Sequence, residues 1–137
     1  MNIIGQPLHR GDATGEILAL SEPLSFWGGL DPRTGTIIDQ AHAQSGASMA
    51  GRIVAMPGSR GSSGTPGVLG ESIRAGTGPA GLVITYADRN LTTGAIVAAA
   101  LYDTVCPIVL VDQESFIQLT NAMTATITAD GTILLRS

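Results

Sequence analysis

The chain has 137 residues, 44% hydrophobic and 13% charged, and its seven arginines against eleven acidic side chains leave a formal net charge of −4. That length holds one domain with a substantial core, and that composition belongs to a globular body rather than a disordered one. With all its cations scattered singly as arginine and no lysine, the chain has no basic stripe to neutralise phosphates, which excludes a nucleic-acid surface.

In chain order, Asn2–His9 and Thr14–Ala19 read as strands joined by a turn at Arg10–Gly11–Asp12. Gly28–Gly29 and Pro32 mark tight turns, because glycine reaches positive φ and proline presets φ for a turn. A β-branched stretch, Thr36–Ile38, follows, and the aperiodic segment from Asp39 to Gly51 is expected as loop. Arg52–Met56 reads as a short apolar strand, Pro57 to Thr65 as a Gly/Ser loop, and Pro66 to Ala75 as a helix. For that helix Thr65 is the expected N-cap, Pro66 suits the first position and Gly76 suits C′. Val68, Leu69 and Ile73 fall near one of its faces.

Gly81–Tyr86 and Pro107–Val111 are further apolar strands, flanking an alanine-rich helix at Thr93–Leu101. Gln113–Thr120 reads as a short helix, and Ala125–Thr128 with Thr132–Leu135 as a hairpin around Ala129–Asp130–Gly131. Strands alternating with single helices predict a mixed α/β fold with right-handed parallel crossovers in the middle. No repeat or linker divides residues 1–137, so one domain is expected.

A single cysteine, Cys106, rules out an intramolecular disulfide and a multi-cysteine metal site, and it reads as a buried, inert thiol. No apolar run approaches the roughly 20 residues that span a bilayer. Met1 to Gly15 lacks an apolar signal core, so no membrane contact and a cytoplasmic location are expected. His9 and His42 have no partner at metal spacing and are expected at the surface or in turns, with Asp31 and Asp39 as turn formers. Arg89 and Asn90 read as a solvated loop. Phe116 and the tyrosines are expected in the core, while Phe26 and Trp27 fit either core or an interface.

The segment richest in chemistry is Pro57–Gly58–Ser59–Arg60–Gly61–Ser62–Ser63–Gly64, which follows a strand and precedes a helix. A helix N-terminus offers free N–H groups and the positive end of a dipole, Arg60 can add a bidentate clamp, and nearby positive charge favours a serine alkoxide. The same composition also suits a turn that merely caps the helix. It is neither a P-loop, since there is no lysine, nor a Gly-x-Ser-x-Gly elbow.

Gly28 to Asp39, followed by Pro57 to Gly64, resembles the small subunit, or swivel domain, of the aconitase X family, and the resemblance extends over nearly the whole chain. The chain departs from the pattern at Gly64–Thr65–Pro66, where relatives continue with more serine and glycine. The resemblance implies a single swivelling β/β/α domain, a large aconitase X subunit as partner, and hydro-lyase activity on a small-molecule substrate. Family members include cis-3-hydroxy-L-proline dehydratases and phosphomevalonate dehydratases; the first substrate is expected here and the second is the alternative. The resemblance implies Ser62 as the general base, with Arg60, Gly61, Ser63 and Gly64 around the substrate. It also implies an iron or iron–sulfur cluster in the large subunit, with no cofactor on this chain. A swivel fold serving only binding or assembly is the rival class.

Overall fold

β-Branched and apolar runs along the chain become the strands of one nearly closed sheet. The structure is a computed structural model that describes all 137 residues. The strands of the main sheet are Asn2–Ile4 (β1), Gln6–His9 (β2), Ala13–Ala19 (β3), Ile53–Ala55 (β6), Gly81–Ile84 (β7), Ile108–Leu110 (β8), Thr124–Ile127 (β9) and Thr132–Arg136 (β10). Leu30–Asp31 (β4) and Thr36–Ile37 (β5) pair as a separate ribbon. The helices are a single turn at Phe26–Gly29 (α1), Thr65–Arg74 (α2), Arg89–Tyr102 (α3) and a short Gln113–Phe116 (α4).

The strand order is β1-β10-β9-β3-β6-β7-β8-β2. From β3 through β6 and β7 to β8 the pairing is parallel, and every outer pairing is antiparallel. β1 and β2 are consecutive in sequence yet sit on opposite edges, so the chain must pass from one edge to the other at Gly5. The Gly5 N–H donates to the Gly131 carbonyl at 3.1 Å, and a Cβ there would overlap the Val109 side chain. Only glycine allows the two edges to come this close.

Side chains alternate across the sheet, so each parallel strand feeds two cores. Ile17, Ile53, Val83, Val109 and Ile127 point to the inside of the curved sheet. Leu18, Val54, Leu82, Ile84 and Ile108 point outward, where α2 and α3 cover them with Leu69, Ile73, Leu91, Ala95 and Ala98. Burying each large aliphatic side chain contributes about 1.5–3 kcal/mol relative to exposing it. The small residues of α3 let it lie close on α2: a Cβ on Gly94 would stand 3.0 Å from the Pro66 backbone.

Helix α2 ends as its sequence predicts. Gly76, at φ +78°, stands at C′; its N–H donates to the Ile73 carbonyl and that of Thr77 to the Ser72 carbonyl. The other end differs, because Gly64 is the N-cap and Thr65 is already helical, fully buried and with no partner for its hydroxyl. Helix α3 starts earlier than its apolar pattern suggests. Asp88 caps it by accepting from the Leu91 N–H at 3.1 Å, which places Arg89 and Asn90 in its first turn rather than in a loop.

His42 lies in a run of turns, as expected, but its side chain is buried. It is 4% exposed, its Nδ1 accepts from the Gln44 N–H at 3.0 Å, and its Nε2 therefore carries the proton donated to the Glu22 carbonyl at 3.2 Å. Tyr86 and Tyr102 lie outside the core, whereas Cys106 is buried and desolvation pushes its thiol up to about 12. Phe26 is wholly buried, but its neighbour Trp27 is 69% exposed. No helix is long and apolar enough to cross a membrane.

Candidate active site

Strands β3, β6 and β7 run side by side in the same direction, so the segments leaving their C-terminal ends meet at one end of the sheet. In parallel sheets this is the end where ligand sites are built. The segment after β3 brings Glu22, Leu24 and Trp27, the segment after β6 is Pro57–Gly64, and the segment after β7 brings Tyr86 and Asp88.

The Pro57–Gly64 loop is held from both sides. Leu24 bridges Ser59 in parallel fashion, and the Arg60 N–H donates to the Leu24 carbonyl at 3.1 Å. From the other side Asp88 Oδ2 accepts from both the N–H and the Oγ of Ser59, at 2.7 and 2.6 Å. The Tyr86 hydroxyl donates to the Ser59 carbonyl. Desolvation, and then the nearby Asp88 carboxylate, hold the Tyr86 phenol above its usual range, which keeps it a donor. A Cβ on Gly58 would overlap the Tyr86 ring, so glycine is what lets that ring lie on the loop.

Past this anchor the chain turns through Gly61, at φ +46°, and reaches Ser62. Ser62 Oγ accepts from the Gly64 N–H at 3.1 Å, and the Ser62 carbonyl accepts from the Thr65 N–H at 3.1 Å. Trp27, Ser62, Ser63 and Gly64 line an open cleft of about 260 Å³. The indole rests on the helix start because Gly64 has no side chain: a Cβ there would sit 3.2 Å from that of Trp27. Ser62 is half-buried, and Ser63 is exposed.

This arrangement favours negative charge on Ser62 Oγ. A backbone N–H already points at it, and it lies just before the N-terminal end of α2, where the dipole is positive. Its own proton has no acceptor within the chain, so the hydroxyl is free to exchange it with a ligand. Ser59, by contrast, is 3% exposed and committed to Asp88. Arg60 turns away from the cleft: its Nε lies 3.3 Å from the Pro23 carbonyl and Nη2 3.4 Å from Glu22 Oε2.

The structure thus brings Ser62, Ser63 and Gly64 together, leaves Gly61 as the hinge before them, and sets Arg60 beside them on Glu22. Sequence reasoning missed the support supplied by Asp88 and Tyr86 and the place of Trp27 in the cleft. Asp88 carried a weak signal, since Asp is a preferred N-cap residue shortly before an apolar helix. A further cleft beside the start of α3 is lined by Leu8, Asp88, Arg89, Thr92 and neighbours, and contains none of the motif serines. Nowhere does the chain gather three or more His, Cys, Asp or Glu side chains that could hold a metal, and Cys106 is 1% exposed, so its donors do not fit a cluster.

The aconitase X swivel-domain family model matches residues 2–135, and the chain belongs to this family. It is 43% identical to cis-3-hydroxy-L-proline dehydratase of Pseudomonas aeruginosa over 77% of this chain and 18% of that protein. It is 38% identical to the phosphomevalonate dehydratase small subunit of Methanothermobacter thermautotrophicus over 72% of this chain and 75% of that one. The chain therefore spans less than a fifth of the first of these two relatives and most of the second. Its fold matches a crystal structure of Thermococcus kodakaraensis aconitase X in its holo form, with a TM-score of 0.88 and 28% identity over 100% of this chain and 99% of that one.

Proposed function

We propose that this chain is the swivel part of an aconitase X hydro-lyase and supplies Ser62 as the general base for removal of water from a small hydroxy acid. The carrying observation is the Ser62 hydroxyl, in an open cleft at the start of α2, accepting from Gly64 N–H with its own proton uncommitted. A serine is a poor base at neutral pH, and the N–H bond and helix dipole lower the cost of its alkoxide form. The alkoxide takes the carbon-bound proton next to the substrate carboxylate. The hydroxyl on the adjacent carbon then leaves as hydroxide as the double bond forms between the two carbons. The hydroxide takes a proton from solvent to become water, and Ser62 returns the proton it gained to solvent.

The remainder of the site belongs to a large aconitase X subunit. An iron or iron–sulfur cluster there would supply Lewis-acid help to the departing hydroxyl. On this chain Arg60 straps the loop to Glu22 and Pro23 and supplies positive charge to the base only when it swings from Glu22 toward the substrate, while Gly61, Ser63 and Gly64 shape the substrate-facing loop. Partner and substrate together occupy the cleft that leaves Trp27 exposed.

For the substrate we favour cis-3-hydroxy-L-proline. The identity of 43% to a dehydratase of that name supports it. Phosphomevalonate is the second reading, favoured by the separate small-subunit relatives, which match this chain in length. The test is co-expression with the aconitase X large subunit of the same genome, purification of the complex, and assay on both substrates. Dehydration of either substrate by the complex, and by neither part alone, is the expected result. Dehydration by this chain alone would overturn the two-part reading.

A further inference from the structure

The Asp88 carboxylate serves two segments at once. Oδ1 accepts from the Leu91 N–H and caps α3, while Oδ2 accepts from the N–H and the Oγ of Ser59. A helix cap needs one acceptor oxygen. The second oxygen, 5% exposed with the rest of the residue and paired with no cation, is given over to the loop that carries Ser62. Tyr86 from the same segment takes the Ser59 carbonyl. All the polar groups of Ser59 are thereby fixed to the connection between β7 and α3. Ser62 itself has only local bonds, from Gly64 and Thr65, so its position relative to the sheet is set by its neighbours: Ser59 through Asp88 and Tyr86, Arg60 through the Leu24 carbonyl, and buried Thr65 at the start of α2.

We infer that Asp88, acting through Ser59 with Tyr86 as the second arm, is a positioning residue that holds the Ser62 hydroxyl where a facing substrate meets it. This rests on the reading of Ser62 as the base. Asp88 does not fill that role itself, because both its oxygens are occupied by donors and it is withdrawn from solvent. A base displaced by about 1 Å costs on the order of 10²-fold in the chemical step while leaving substrate binding largely alone. A purely structural cap would lower stability and leave the turnover of the folded complex unchanged.

The experiment uses the complex with the large subunit. Asp88→Asn keeps an acceptor oxygen for the α3 cap but sets an amide N–H₂ against the Ser59 N–H. Its kcat is expected to fall on the order of 10²-fold with KM unchanged and the complex intact. If that variant does not assemble, the Ser59→Ala/Tyr86→Phe double variant decides, since it removes one bond from each arm and retains the cap. Its kcat is expected to fall with KM unchanged, and more than for either single change. Wild-type kcat in the folded Asp88→Asn complex, or in the double variant, overturns the inference. An inactive Ser62→Ala complex beside a fully active Asp88→Asn one overturns it alone, whereas an active Ser62→Ala complex removes the base assignment and this inference with it.

Discussion

The sheet has two parts built to different rules. In the parallel part, β6 and β7 are buried at every residue, because helices cover one face and the closed sheet covers the other. In the antiparallel part, β1, β9 and β10 alternate buried with partly or fully exposed residues, as a sheet with one wet face does. The parallel part ends in loops that cross-link to one another through Ser59, Asp88 and Leu24, whereas the antiparallel hairpin ends in a local turn at Asp130–Gly131. Parallel strands release successive connections at one end, where they can be combined. A hairpin returns at once, and its turn here meets only the first strands' ends at Gly5, Arg10 and Asp12, with no motif residue among them.

If that contrast is right, the greatest functional loss comes from the smallest change at the parallel end. Ser62→Ala removes one oxygen from a loop and is expected to lower kcat in the complex on the order of 10² to 10⁴, the usual worth of a positioned general base. Melting temperature and association with the large subunit should not move. Next in size is a comparison of leucines, one from each part. Leu82→Ala in β7, 0% exposed, is expected to lose about 2–5 kcal/mol in urea unfolding. Leu134→Ala in β10, 37% exposed, should stay within about 0.5 kcal/mol. Equal losses would mean that the outer face of β10 is covered in the isolated chain.

The same contrast explains what was legible in the sequence. The fully apolar runs at 53–55, 81–84 and 108–110 stood out as buried strands, and the Asp-Gly turn marked its hairpin, since these signals are local. The β4 strand was not visible, because Leu30–Asp31 pairs only with the neighbouring ribbon and sits among glycine and proline turn signals. The early start of α3 was hidden by polar Arg89, exposed, and Asn90, half-buried, in its first turn. At the site, the Pro57–Gly64 loop was legible because its residues are contiguous, whereas Ser62 was singled out within it only by the family resemblance. Trp27, Tyr86 and Asp88 were not legible, because only the β3-β6-β7 strand order brings them to that loop from distant positions.

Arg60 sharpens the comparison within the parallel end. Its guanidinium is 52% exposed and its bonds to Pro23 and Glu22 are long, so as an ion pair it adds little to stability. To reach a substrate the guanidinium must leave Glu22 on assembly, and Arg60→Lys in the complex is then expected to lower kcat/KM about tenfold, the worth of one charge-assisted hydrogen bond that lysine cannot reproduce. Unchanged kinetics would leave Arg60 as a strap between two loops and place anion recognition wholly on the partner.

The smallest effect is expected at the hairpin end, and it depends on pH. Asp130 Oδ1 accepts from the Thr128 hydroxyl at 2.5 Å and from the Thr132 N–H at 3.0 Å. These bonds, that of Thr128 first, lower its carboxyl below the usual 3.8. A carboxyl depressed in the folded state contributes stability that is present above 3.8 and is lost as the pH falls through the folded value. Asp130→Asn keeps an acceptor but removes the charge, so its urea midpoint should lie slightly below wild type at neutral pH. The two midpoints should converge in acid. A gap that persists in acid would assign the difference to the shape of the amide instead of the charge. Activity of the complex should be unaffected at any pH, because the turn lies on the antiparallel hairpin and shares no residue with the Ser62 cleft.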